Sequence, residues 1–142
     1  MIYLATPYTH SDSRMIDHRF GVVTRYAARL VQNGTNVYSP ITHSHELQKH
    51  MSNVATTWDF WEKIDLEYLS FCESLIVLTQ WGWRQSIGVQ AELDYATEHN
   101  KPIEYHGIPT DLGEHCGDCE AYCLVEGICY NCFGNPEKGE KE

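Results

Sequence analysis

Two alternating rhythms of apolar residues run along this chain. Ile2–Ala5 is a short continuous apolar run ending at Thr6-Pro7, which reads as a buried strand leaving a sheet at a turn. Ile16, Phe20, Val23, Ala27 and Leu30 then recur at helical steps, and Asn33-Gly34 supplies a helix stop. Residues 36–39 read as a second short strand closed by Pro40. Residues 41–57, rich in His, Ser and Asn, read as a loop with at most one short helix. Helical spacing returns over 59–72, with Trp61, Ile64, Tyr68 and Phe71 on one stripe. Residues 74–79 (SLIVLT) make the strongest strand, apolar on both faces as a covered parallel strand requires. Residues 81–85 read as a loop, Ser86 as the N-cap of a helix reaching about His99, and 101–105 as the last core strand.

Strands alternating with helices predict a flavodoxin- or Rossmann-like α/β fold, a parallel sheet of four to five strands with helices on both faces. Ligands of such sheets sit beyond the carboxyl ends of the strands. Thr6-Pro7-Tyr8, residues 40–45 and residues 80–88 leave the sheet there. This catalytic domain is expected to span 1–106. Past it the periodicity is lost and Cys and Gly accumulate, giving a Cys-rich module over 107–134 and a charged tail over 135–142 with a disordered composition. The N-terminus has neither a basic segment nor a signal-peptide core, and no apolar run approaches membrane-spanning length. The expected compartment is the cytoplasm.

A formal net charge of -10 argues against a nucleic acid polymer as partner, which needs a basic face. A mononucleotide needs only a few local donors. Five of the six cysteines lie between Cys116 and Cys132. Cys116-x2-Cys119 and Cys129-x2-Cys132 are two tight thiolate turns, the donor set of a closed structural zinc site. Cys123 and His115 are left over, and either could replace one ligand. No cofactor is expected for catalysis. Cys72 reads as buried and inert.

The most informative stretch is 86–92. Ser86 and Gly88 open a helix, where unpaired N–H groups and the positive dipole end favour an anion. Glu92 follows about one turn after Gly88, able to face the same place. A carboxylate beneath a sugar carbon stabilises an oxocarbenium-like cation or attacks it. The same residues also describe an ordinary capped helix with a surface Glu.

Four pieces carry a resemblance: IYLATPY at the start, YSPITHSH from Tyr38, WDFWEKID from Trp58 and SIGVQAELDYA from Ser86. Together they resemble the nucleoside 2-deoxyribosyltransferase superfamily, which includes the 2'-deoxynucleoside 5'-monophosphate N-hydrolases, and within it a small phage and bacterial subgroup. The resemblance covers roughly residues 1 to 105. It implies that Glu92 is the catalytic glutamate, that Tyr3 orients it, and that Asp65 contacts or protonates the departing base. It implies that Ser86 and Gly88 hold the 5' phosphate or hydroxyl. It implies a nucleoside or nucleoside monophosphate as substrate and a homodimer or larger homo-oligomer. Gln85 stands where transferases of that superfamily often carry Asp, which weakens the carry-over of base specificity and of base exchange.

Each remaining candidate has a plainer reading beside it. Tyr3 on an apolar strand also reads as core, and Asp65 as a helix-surface acid. Pro7 and Tyr8, at the end of the first strand, and His43 and His45, after Pro40, are candidate substrate contacts; the two His lack a third metal ligand. Trp81 and Trp83 flank a loop glycine and are candidates for stacking on a base, whereas Trp61 reads as core. Arg84 is a candidate phosphate partner beside Ser86, while Arg19 reads as a surface charge.

Overall fold

The computed structural model describes residues 1–51, 57–109 and 112, together with the backbone of short strands at 114–115, 122–125 and 128–129. The order is β1 (Ile2–Ala5), α1 (Ser13–Gln32), β2 (Val37–Tyr38), α2 (Pro40–Gln48), α3 (Trp58–Phe71), β3 (Ser74–Leu78), α4 (Ile87–Glu98) and β4 (Ile103–His106). These strands form one four-stranded sheet in the order β2-β1-β3-β4. All three pairings are parallel. The chain is therefore an α/β fold, and none of its described helices is long and apolar enough to cross a membrane.

The sheet order decides where the helices go. The chain steps outward from β1 to β2, then back past β1 to β3 and on to β4. Right-handed crossovers put helices made on opposite steps on opposite faces. Accordingly α1 and α2 pack Val22, Val23, Tyr26 and Ile41 on the Leu4, Ile76 and Leu78 side. On the other face α3 and α4 pack Leu69, Val89 and Ala96 against Tyr3, Ala5, Leu75 and Val77. β3 is covered on both faces, and its Leu75, Val77 and Leu78 are fully buried.

The helix ends are set locally. Asp12 caps α1 by accepting from the Arg14 N–H, and Gly34 follows the last turn with φ +84°, a backbone geometry glycine adopts at no steric cost. Ser86 caps α4 by accepting from the Val89 N–H, at 3.4 Å.

Several elements depart from the sequence expectation. Pro40 opens α2 rather than closing a strand: Ser39 is its N-cap and Pro40 occupies the first turn, where a missing N–H costs nothing. A 3-10 turn occupies Trp83–Gln85 within the expected loop. The buried stripe of α1 is Met15, Arg19, Val22, Val23 and Tyr26. That of α3 is Trp61, Asp65 and Leu69, turned away from Tyr68 and from Phe71, which is 72% exposed. Beyond the core sheet, Glu114–His115, Tyr122–Val125 and Ile128–Cys129 form β5, β6 and β7 of a small antiparallel sheet, in a region expected to lack strands. The disordered tail proposed over 135–142 lies outside the described residues, as do the zinc ligands Cys116, Cys119 and Cys132 and the side chain of Cys129. Among the described residues no three His, Cys, Asp or Glu side chains converge as a metal site.

Candidate functional site

Tyr3 stands second on β1 and points toward α3 and α4. Glu92 lies in the second turn of α4, three residues after the buried Val89, so one stripe of the helix carries both inward. The Tyr3 hydroxyl donates to Glu92 Oε1 at 2.6 Å, joining residues 89 positions apart. Glu92 is 4% exposed and Tyr3 0%. Asp65 enters from α3 at 6% exposure.

Three acids thus share a dry volume, and each resists ionisation. Burial lifts the Glu92 carboxyl to about 8; the Tyr3 hydrogen bond opposes that lift and the charge of Asp65 adds to it. Burial alone lifts Asp65 to about 7. Burial, then the charges of Glu92 and Asp65, push the Tyr3 phenol well above the usual range. Both carboxyl groups therefore keep their protons to a pH well above the one at which surface acids lose theirs.

An aromatic layer lies over them. Tyr38, opposite Tyr3 in the parallel register, has its ring centroid 5.7 Å from that of Tyr3. Its phenol is pushed up by burial and then by Asp65, Tyr68, Cys72 and Glu92. Tyr68 stacks on Tyr38 at 4.2 Å, and the exposed His43 approaches both rings at 5.9 and 5.7 Å. Neither Tyr38 nor Tyr68 was singled out from the sequence as a site residue. The signal available for Tyr38 was its place one strand over from Tyr3.

Other expected contacts lie elsewhere. His45 is two residues from His43 on α2, a spacing that sends side chains to different faces of a helix. It turns to the α1 side, stacks on Phe20 at 3.8 Å and pairs through Nδ1 with the Tyr8 hydroxyl at 2.8 Å. Tyr8 packs with the α1 core, across the sheet from Glu92. Pro7 is fully buried. Gly88 faces protein: a Cβ there would come within 3.0 Å of the Trp58 ring.

Arg19 corrects the reading of a surface charge. It is 5% exposed. Nη1 donates to the carbonyl of Thr9 and Nη2 to that of Trp81, both at 2.8 Å. Burial lowers its pKa to about 10. Gln80 Nε2 donates to Thr6 Oγ1 at 2.8 Å and to the Arg19 carbonyl at 3.2 Å. These side chains stitch the loop after β1 to the loop after β3. A charged residue on the buried stripe of α1, four after Met15 and three before Val22, was the missed signal.

Trp83 and Arg84 line a cavity of about 680 Å³ with the rest of 79–85 and Tyr105 of β4. Glu92, Asp65 and Tyr3 do not line it. The lining of this cavity and the buried acids are therefore different sets of residues, with Trp83 of the lining packed on the core cluster that contains Tyr3.

Residues 1–107 match the family model of a domain of unknown function, DUF1937. Among curated proteins nothing matches the chain.

Proposed function

We propose that this chain, which belongs to the DUF1937 family, hydrolyses the N-glycosidic bond of a 2'-deoxynucleoside 5'-monophosphate, with Glu92 as nucleophile. The observation that carries this reading is the 2.6 Å hydrogen bond from Tyr3 to a buried Glu92, with the buried Asp65 near enough for its charge to act on Glu92.

The chemistry divides the two carboxyls by protonation state. Ionised Glu92 attacks the anomeric carbon, and the carbon–nitrogen bond breaks with its electron pair going to the base. Asp65, lifted to about 7, delivers its proton to that nitrogen. Asp65, now a carboxylate, takes a proton from water as the water attacks the glycosyl ester, releasing the sugar and Glu92. Tyr3 fixes the position of the attacking oxygen. A free base in place of water would give base exchange. On the same reading the partner is a mononucleotide, the assembly a homo-oligomer, and the two CxxC pairs hold a structural zinc, a proposal resting on their spacing. Incubation with a panel of nucleosides and their monophosphates, followed by chromatography of free bases, tests the activity. Base release from none of them would end the proposal.

The active form needs Glu92 ionised and Asp65 protonated. Their pKa values lie near 8 and 7, in the inverse order, so a single proton is shared across the pair. We predict a bell-shaped profile of kcat/KM with its maximum between pH 7 and 8. Asp65→Asn leaves one titrating carboxyl, so it removes the basic limb of the profile as it lowers the rate. A basic limb retained in Asp65→Asn would separate the two groups.

One observation favours a second reading, a binding module without chemistry: Glu92 is 4% exposed and holds its proton at neutral pH, as a purely structural acid would. Tight nucleotide binding by a wild-type protein that releases no base would select it.

A further inference from the structure

The cavity beside β4 has features that the buried acids do not account for. It is bounded by the segment from Thr79 to Gln85 and by Tyr105, and at about 680 Å³ it has the volume of a small-molecule site. Its lining contains no carboxylate, and its one charged residue is Arg84. That is notable in a chain of net charge -10. The Arg84 guanidinium lies 4.5 Å over the Trp83 ring, so its N–H fork is held at a defined place, and no ion pair among the described residues engages it. Trp81 is 42% and Tyr105 56% exposed, leaving large rings in contact with water. The loop carrying Trp81 is fixed from beneath: Arg19 holds the Trp81 carbonyl, and Gly82 turns the chain at φ +84° where a Cβ would meet Arg19 at 3.0 Å. Trp83 packs on the core cluster that contains Tyr3 and Val89, and so stands between the cavity and the core around Glu92.

We propose that this cavity binds a small ligand with a planar aromatic ring and an anionic group, at a site separate from the buried carboxylates. The rings offer stacking surface, and the oriented guanidinium matches a phosphate or carboxylate. The inference stands independently of the glycosidase reading.

The test is calorimetric titration of the full chain, with adenosine 5'-monophosphate and indole-3-acetate as ring-plus-anion probes. Adenosine and ribose 5-phosphate are the ring-only and anion-only controls. Nucleotide titrations use Glu92→Gln so that nothing is cleaved. At least one ring-plus-anion probe is expected to bind, and to bind about tenfold more tightly than its controls. Arg84→Gln should weaken that probe about tenfold and adenosine less than twofold, and Trp81→Ala should weaken every ring-bearing probe. Binding of the nucleotide alone identifies nucleoside phosphates as the source of the chemistry; binding of indole-3-acetate alone identifies aromatic acids. Binding of neither overturns the proposal, as does an Arg84→Gln affinity equal to the parent's. A difference in indole-3-acetate affinity between wild type and Glu92→Gln overturns the separateness of the site. Absence of base release in every assay removes the glycosidase reading and leaves this one intact.

Discussion

Glu92→Gln is expected to abolish base release and, at pH 8, to make the protein more stable than wild type. The loss of activity is the loss of a nucleophile and should be at least about a thousandfold in kcat. The gain in stability follows from where the carboxyl titrates. Its pKa rises from 4.5 for the free side chain to about 8 in the fold, because burial penalises the charged form. A neutral buried acid stabilises the fold fully below the unfolded pKa. That contribution is lost as pH climbs through the folded pKa, since the unfolded chain ionises and the folded one does not. Gln keeps an acceptor for the Tyr3 hydroxyl and has no proton to lose. Melting curves of the two proteins should therefore nearly coincide around pH 4.5 and separate steadily up to pH 8, by up to roughly 5 kcal/mol. A gap that is flat across this range would mean that Glu92 is ionised in the fold at neutral pH. Retained base release in the variant would remove it as nucleophile.

The second large effect belongs to Arg19. Arg19→Ala leaves the carbonyls of Thr9 and Trp81 without their buried donors and opens a void between two loops. The expected cost is about 3–4 kcal/mol, or a fall in melting temperature of roughly 10 °C for a chain this size. Arg19→Lys should recover less than half, since one ammonium cannot span the two carbonyls that the guanidinium fork bridges. Thermal denaturation checks both variants. A melting temperature unchanged in Arg19→Ala would show that the loops hold without the bridge.

What the sequence made legible, and what it hid, divides along one physical line. The strand–helix alternation could be read because continuous apolar runs and helical spacing are local patterns, and β3 stands out for being apolar on both faces. The facing of α1 and α3 could not, because each buries a charged residue. A hydrophobicity pattern assigns Arg19 and Asp65 to the surface, and so turns the stripe of α3 toward Tyr68 and Phe71. α2 was hidden by proline: a Pro after a strand reads as its end, whereas Pro40 begins a helix, and only Ser39 before it indicates that role. The joining of Tyr3 to Glu92 is a contact between distant parts of the chain that no periodicity encodes, and it entered the sequence reading through resemblance alone. The division between the acids and the aromatic loop was likewise invisible. In the sequence Trp83, Arg84, Ser86 and Glu92 are near neighbours, and only the fold shows that Glu92 is not in the cavity lining that holds Trp83 and Arg84.

β1 lies inside the sheet, flanked by β2 and β3, although it is the first strand of the chain. During synthesis it therefore waits for partners made much later. Its outer neighbour begins at Val37, its inner one at Ser74, and the acid that its Tyr3 holds is residue 92. A ribosome-bound fragment ending before α4 contains the phenol without its carboxylate. Closing long loops before any contact rewards them makes such parallel pairing slow. The candidate centre is thus completed only once α4 is made, long after the strand that carries its phenol.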